Sequence, residues 1–143
     1  MSRVFTASVM IAAPIERAWA VLADLERWSG WTPTVTRVTP LDGGAPREGA
    51  RYRVEQPKLA PAVYTITSWR APHAFTWVMR SPGIEGVADH TLTVLDGGGC
   101  RLELRVEFRG LLAGLVAAMA GTLTQQYIET EASSLKSKAE AQA

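Results

Sequence analysis

An unbroken alternation of side chains between Cys100 and Arg109 constrains the fold more than any other feature of this sequence. Residues from Leu102 to Phe108 are apolar at every second position, and the positions between them carry Arg or Glu. A period of two with all the charges on one side predicts a half-buried antiparallel strand. We therefore expect a sheet with one covered face.

The period of two breaks at Gly110, and the chain that follows is predicted to be one long helix. From Leu111 to about Ala139 the sequence contains no proline, and the first three turns are apolar almost all round. A curved sheet that closes on one C-terminal helix is an architecture that holds ligands. The pattern therefore favours binding of a small apolar molecule, without naming that molecule.

Turn-forming residues divide the rest of the chain into short strands. Glycine and proline punctuate the sequence, and the strands predicted between these turns are 3–11, 34–39, 50–56, 62–70, 74–80, 85–95 and 100–109. Two short helices, 15–23 behind Pro14 and 25–28, are predicted after the first strand. Short connections imply an antiparallel meander whose inner face the last helix covers, an α+β fold.

Length and charge limit the classes of partner. A chain of 143 residues is in the usual range for one domain, so we expect a single domain over 1–143. The 15 basic and 14 acidic side chains leave a net charge of +1. This balance gives no electrostatic reason to expect nucleic acid or an anionic membrane as the main partner, and it favours neutral or mixed ligands.

Neither terminal apolar segment is predicted to enter a membrane. Polar residues alternate with apolar ones in 4–11, which favours a strand over a signal peptide. The apolar run Leu111 to Gly121 is short against the roughly 20 residues that a spanning helix needs. The lone cysteine, Cys100, excludes an internal disulfide, is predicted to be a small buried side chain, and suits a cytoplasmic location.

The order and spacing of several short motifs resemble one family along the whole chain. The motifs are A-P-I-E-R-A-W-A-V-L-A-D at 13–24, Trp28, W-T-P at 31–33, F-T-W at 75–77, G-V-A-D-H-T-L-T-V-L at 86–95, the triple glycine at 97–99 and S-L-K-S-K-A-E at 134–140. Together they resemble the START-like (SRPBCC) superfamily, which includes polyketide cyclases and plant pollen allergens. The resemblance implies a helix-grip fold, with seven strands around a C-terminal helix and an internal apolar cavity. Because function varies within the superfamily, the resemblance predicts the fold and its cavity better than it predicts the ligand.

Strand phase predicts which side chains line that cavity, and His90 is the most informative of them. In 85–95 it shares a face with Gly86, Ala88, Leu92 and Val94. An inward histidine could hydrogen-bond a ligand carbonyl or phenol, or move a proton in a cyclisation or dehydration. The alternative is a histidine satisfied by a backbone carbonyl or a buried hydroxyl.

The neighbouring strands and the long helix supply the other candidate ligand-binding residues. Strand phase selects Tyr52, Val54, Gln56, Phe75, Trp77 and Met79, with Tyr64 as a candidate donor on a strand whose inner face is ambiguous. Ordinary core packing is the alternative, and we favour it for Phe75 and Met79. A helix seam through Leu112 and Val116 adds Met119, Leu123 and Tyr127. Gly114 and Gly121 would permit close packing or a bend along that helix.

Trp28 and Trp31 allow two interpretations. In this fold they would border the cavity mouth and could form an aromatic lid over an apolar ligand. The alternative, which we favour, is that they pin the short helices to the sheet.

Several catalytic and cofactor signatures are missing from the sequence. The two histidines, His73 and His90, form no clustered ligand set, so no metal is expected. The sequence has no nucleophile elbow, Walker loop or dinucleotide fingerprint, so no cofactor is expected.

Three hypotheses for the function follow. The first is binding or carriage of a small hydrophobic molecule by a monomer or homodimer. The second is a cyclase, aromatase or dehydratase that uses His90 as acid and base, Tyr52 or Tyr64 to orient a carbonyl, and a dry pocket. The third is a partner-binding or chaperone-assisting domain, which a collapsed cavity would favour.

Overall fold

The computed structural model of the protein describes residues 3–141. The strands are β1 (Val4–Ile11), β2 (Arg37–Pro40), β3 (Arg51–Glu55), β4 (Ala62–Arg70), β5 (Ala74–Ser81), β6 (Ile84–Val94) and β7 (Cys100–Arg109). Helix α1 (Ile15–Ala23) and a 3₁₀ helix (Leu25–Gly30) follow β1, and helix α2 (Ala113–Ala141) follows β7.

The strands form one antiparallel sheet in the order β1-β7-β6-β5-β4-β3-β2. From β2 to β7 each strand pairs with the next one along the chain, and β1 closes the other edge by pairing with β7, from Val4 opposite Glu107 to Ile11 opposite Cys100. Strand β7 is paired on both sides, next to the edge strand β1, and its apolar residues lie on the face that α2 covers. The predicted α+β helix-grip fold is confirmed.

Two predicted boundaries move for local reasons. Strand β2 starts at Arg37 rather than at 34, because the Thr34 backbone N–H donates to Thr32 Oγ1 (3.3 Å) in a local turn. Helix α2 starts at Ala113 rather than at 111. The Leu112 N–H donates to the Gly83 carbonyl (2.8 Å), which holds the preceding residues against the β5–β6 turn.

Strand β4 contains the irregularity that made its inner face ambiguous. Its register against β5 shifts between Ile66 and Ser68. Tyr64 and Ile66 face inwards before this shift, whereas Trp69 faces inwards after it and packs on Phe75. A strict period of two cannot describe both halves of such a strand.

Helix α2 presents small residues to the sheet, which corrects the predicted seam of large ones. Its buried positions include Ala113, Ala117, Gly121, Ala132 and Leu135. A Cβ on Gly121 would lie 2.9 Å from Phe5 Cζ, so glycine is what permits this close approach. Met119, predicted to line the cavity, is 80% exposed, because α2 is rotated so that its small side chains meet β1 and β7.

The last turns of α2 are attached to β1 by polar contacts. Lys136 Nζ donates to the Met10 carbonyl (3.0 Å) and to Glu140 (2.6 Å). The same carboxylate accepts the Ala12 N–H (2.7 Å). These contacts hold the C-terminal half of α2 against the end of β1.

Truncation of two α2 side chains tests this orientation of the helix. Leu135 is 0% exposed. Leu135→Ala should lower the unfolding free energy by about 2–5 kcal/mol, because the truncation leaves a cavity in the core. Met119→Ala should change it by less than about 0.5 kcal/mol. Urea unfolding of both variants measures the difference, and an equal loss in Met119→Ala would restore the predicted seam.

Candidate functional site

A cavity of about 270 Å³ lies between the inner face of the sheet and helix α2. Strands β3 to β7 contribute side chains to one wall, and α2 contributes the other. Small residues in both walls, Gly86 and Ala88 on the sheet and Ala120 on α2, leave room for the open volume. A Cβ on Gly86 would lie 3.1 Å from Met79 Cγ. Leu59 and Ala60 are exposed members of the lining, so the cavity meets the surface beside the β3–β4 loop.

The structure brings most of the predicted site residues together around this cavity. Those in the lining are Trp28, Val54, Gln56, Tyr64, Trp77, Met79, Ala88, His90 and Tyr127. They come from the 3₁₀ helix, from the β3–β4, β5 and β6 regions and from α2. The faces of β3, β5 and β6 that were predicted to point inwards therefore line the same cavity.

The other predicted site residues lie outside the lining. Tyr52, Phe75 and Leu92 are buried in the core that supports the cavity wall. Leu123 is partly buried on α2, and the exposed Met119 points away from the sheet. These residues were assigned to the correct elements, but their side chains do not belong to the lining.

Trp28 is a fixed part of the wall. Its Nε1 donates to the Leu22 carbonyl (2.9 Å), and its ring packs against Trp77, His90 and Trp31 with centroids 5.3–5.6 Å apart. Trp31 lies outside the lining, and its Nε1 has no hydrogen-bond partner within residues 3–141. The contacts of Trp28 support the interpretation that the tryptophans pin the short helices to the sheet.

His90 is held flat against the wall with one ring nitrogen engaged. Its ring stacks on Phe75 (centroids 4.1 Å apart, planes 8° apart), and its Nδ1 lies 3.2 Å from the Phe75 carbonyl oxygen. Burial lowers the pKa of His90 from 6.5 to about 4, because the carbonyl and the charge of Asp89 only partly offset the loss of hydration. A neutral ring must therefore carry its proton on Nδ1, since a carbonyl only accepts.

Glu131 is a polar residue of the lining that sequence reasoning missed. This carboxyl group on α2 is 9% exposed, and its Oε2 accepts from Thr34 Oγ1 (3.1 Å), which lies 2.9 Å from Thr32 Oγ1. Burial raises the pKa of Glu131 from 4.5 to about 7, and the Thr34 hydrogen bond only partly opposes the rise. A signal was present, because Glu131 follows the correctly placed Tyr127 by one helical turn.

Two tyrosines complete the polar features of the cavity. Burial, aided by the nearby charge of Glu131, raises the pKa of Tyr64 to about 12, so its hydroxyl stays protonated at neutral pH. The Tyr127 hydroxyl donates to the Pro57 carbonyl and so joins α2 to the β3–β4 loop. Gln56 Nε2 donates to the Thr34 carbonyl (3.1 Å) beside the same loop.

The remaining lining residues are mostly apolar and were not predicted as site residues. They are Val35, Leu59, Ala60, Ala62, Gly86, Leu104, Val106, Phe108, Val116, Ala120, Thr124 and Ile128, together with Asp89 and Arg105. The alternation in β7 already placed Leu104, Val106 and Phe108 on the covered face, so their phase was available from the sequence.

The described part of the chain has neither a metal-binding cluster nor a membrane-spanning helix. Residues 3–141 contain no group of three or more His, Cys, Asp or Glu side chains placed to hold a metal ion. None of the helices in that range has the length and apolar character to span a membrane.

The chain matches a known family and several known structures. A family model described as "Polyketide cyclase / dehydrase and lipid transport" matches residues 2–140. No curated protein matches the chain in sequence. The ZhuI aromatase/cyclase from Streptomyces sp. R1128 has a TM-score of 0.79 at 19% identity, over 98% of this chain and 94% of its own.

Two further solved structures share the fold. A START superfamily protein from Mycobacterium smegmatis has a TM-score of 0.78 at 13% identity, over 99% of this chain and 100% of its own. A hypothetical protein from Helicobacter pylori has a TM-score of 0.81 at 12% identity, over 95% of this chain and 87% of its own. At such identities these likenesses establish the fold alone.

The shifted pKa values of His90 and Glu131 give opposite pH dependences of stability. Between pH 4 and 6.5 only the unfolded state protonates His90, so His90 makes stability rise with pH. Between pH 4.5 and 7 only the folded state protonates Glu131, so Glu131 makes stability fall with pH. The two contributions oppose each other over most of this window in the wild-type protein.

Glu131→Gln should separate the two contributions. The unfolding free energy of Glu131→Gln minus that of wild type should rise by up to about 3 kcal/mol between pH 4.5 and 7. The same difference for His90→Gln should fall by a similar amount between pH 4 and 6.5. Urea unfolding across this range measures both, and differences independent of pH would contradict the burial of these groups.

Proposed function

The chain belongs to the polyketide cyclase/dehydrase and lipid transport family, and we propose that it binds and carries a small hydrophobic ligand in the cavity between its sheet and α2. One observation carries the proposal. A folded protein packs its interior with few voids larger than a water molecule, whereas this one keeps about 270 Å³ open behind an apolar wall. An open apolar space of this kind is the usual form of a small-molecule site.

The wall is suited to binding without rearrangement. Trp28 and Trp77 contact each other and His90, so their rings already have fixed positions before a ligand enters. A preformed site loses little free energy to ordering, and each methylene that it buries contributes about 0.8 kcal/mol. Tyr52, Phe75 and Leu92 are proposed to support the wall from behind rather than to touch the ligand.

Catalysis is the second candidate function, and the likeness to the ZhuI aromatase/cyclase is the observation that favours it. In this alternative His90 acts as acid and base on a polyketide-like substrate, with Tyr64 donating to a carbonyl. A group whose pKa is near 4 is a weak base at neutral pH, which argues against that role. The pKa of Glu131, near 7, is better matched to proton transfer. We rank carriage first because it needs the cavity alone.

The third hypothesis, an interaction domain, was tied to a collapsed cavity. The open volume removes that ground for it. Part of the charged face of β7 is paired within the protein, since Arg105 and Arg109 both lie 3.1 Å from Glu107.

A variant that fills the cavity tests the carriage proposal. The neutral fluorophore N-phenyl-1-naphthylamine should bind the wild-type protein with increased emission, because its rings leave water for an apolar space. Ala120→Trp places a large side chain in the lining and should weaken this binding about tenfold or more. Fluorescence titration measures both affinities.

Ala118→Trp is the matched control for the filled cavity. Ala118 is exposed on the same helix, so this variant should bind the fluorophore as wild type does. Equal affinity in wild type and Ala120→Trp, with both proteins folded by circular dichroism, would place the binding elsewhere and contradict the proposal.

A further inference from the structure

Polar side chains in the apolar cavity have atoms without a partner. His90 engages only its Nδ1, Glu131 engages only its Oε2, and the Tyr64 hydroxyl has no hydrogen bond within residues 3–141. All three residues belong to the lining. These three atoms face the open space of the cavity, where a ligand can complete their hydrogen bonds; the enclosed side-chain polar atom left without a partner in residues 3–141 is Trp31 Nε1, outside the lining.

The chemistry of two of these atoms is determined by their neighbours. Because the Phe75 carbonyl takes the proton-bearing Nδ1, the Nε2 of neutral His90 has a free lone pair and accepts. Glu131 receives the Thr34 hydroxyl at Oε2, and Thr34 is in turn 2.9 Å from Thr32 Oγ1. The Thr34 hydroxyl occupies Oε2, so in the ionised carboxylate Oε1 remains as a second acceptor.

No cation of the lining offsets this acceptor character. Arg105 is the single basic residue there, and it pairs with Glu107 (3.1 Å) and Asp89 (3.6 Å) on the other face of the sheet. Glu131 takes part in no ion pair within residues 3–141. The other polar residues of the lining, Gln56, Asp89, Thr124 and Tyr127, each hydrogen-bond within the protein. The cavity therefore presents two acceptors and one tyrosine hydroxyl without a protein partner.

We propose that this cavity selects a neutral ring compound that carries a hydroxyl group, and that Glu131 and His90 exclude ligands that carry a carboxylate. This inference rests on the proposed binding function and adds the class of ligand. A hydroxyl hydrogen satisfies one acceptor, and the ring lies in the cavity against the wall that includes Trp28 and Trp77. A carboxylate has no hydrogen to donate and would be buried beside a second carboxyl group without a cation, which is costly.

Glu131 accepts through Oε1 only when it is ionised, because the protonated carboxyl carries a hydrogen there. Burial without a nearby cation raises its pKa to about 7, so the acceptor form predominates above that pH, and an anionic ligand would add to the unfavourable field around it. The same absence of a cation argues against a free fatty acid as the carried molecule.

Three ligands with the same fused ring test the proposal. The probes, compared at pH 8 where Glu131 is mostly ionised, are 2-naphthol, which donates a hydrogen bond, 2-methoxynaphthalene, which cannot, and 2-naphthoate, which is an anion. By isothermal titration calorimetry the wild-type protein should bind 2-naphthol about tenfold more tightly than either of the others.

Glu131→Gln should change the selectivity in a direction that a purely structural role would not produce. Its amide can donate to a carboxylate, so the preference for 2-naphthol over 2-naphthoate should fall about fivefold or more. Glu129→Gln, which changes an exposed carboxylate two positions away on α2, should leave that preference unchanged.

The outcomes separate this inference from the function on which it rests. Equal wild-type affinities for 2-naphthol and either analogue would overturn the selectivity while leaving carriage of apolar ligands intact. Failure of all three probes and of N-phenyl-1-naphthylamine to bind would overturn both. If Glu131→Gln does not fold, the wild-type series alone still decides the question.

Discussion

The close contact of α2 with one side of the sheet is the constraint on which the cavity depends. Helix α2 packs on β1 and β7 through glycine and alanine, and a Cβ on Gly121 would lie only 2.9 Å from Phe5. One helix cannot cover the whole concave face of seven strands. Where it sits tightly over β1 and β7, it leaves part of the inner face of β3 to β6 uncovered, and the cavity occupies that gap.

The sheet compensates with rigid aromatic packing around the gap. Phe75 stacks on His90, and Trp28 joins Trp77 to the 3₁₀ helix, so the wall does not collapse into the space. The same packing leaves His90 with one engaged nitrogen and one open one. The polar character of the cavity is therefore a consequence of how its wall is held, and the neutral ring follows from burial.

Local patterns predicted the strands well because each depends on neighbouring residues. Alternation in 100–109 and turn residues between the strands were sufficient for the meander. They could not predict the pairing of β1 with β7, which joins distant parts of the chain, or the bulge in β4. Met119 was misplaced because the prediction assigned the largest apolar side chains of α2 to the buried face. In the structure the close approach of α2 to the sheet places small side chains on that face instead. Glu131 was missed because a glutamate in a helix ordinarily faces water, and its burial depends on Thr34, which is 97 residues away in sequence.

The nitrogen-15 spectrum of the His90 imidazole at pH 7, recorded before and after addition of 2-naphthol, tests the central claim most directly. The exposed His73 provides an internal reference. The account predicts a neutral ring with its proton on Nδ1, and an Nε2 resonance that shifts when 2-naphthol saturates the protein. A charged ring, a proton on Nε2, or an Nε2 resonance that stays unchanged would contradict it.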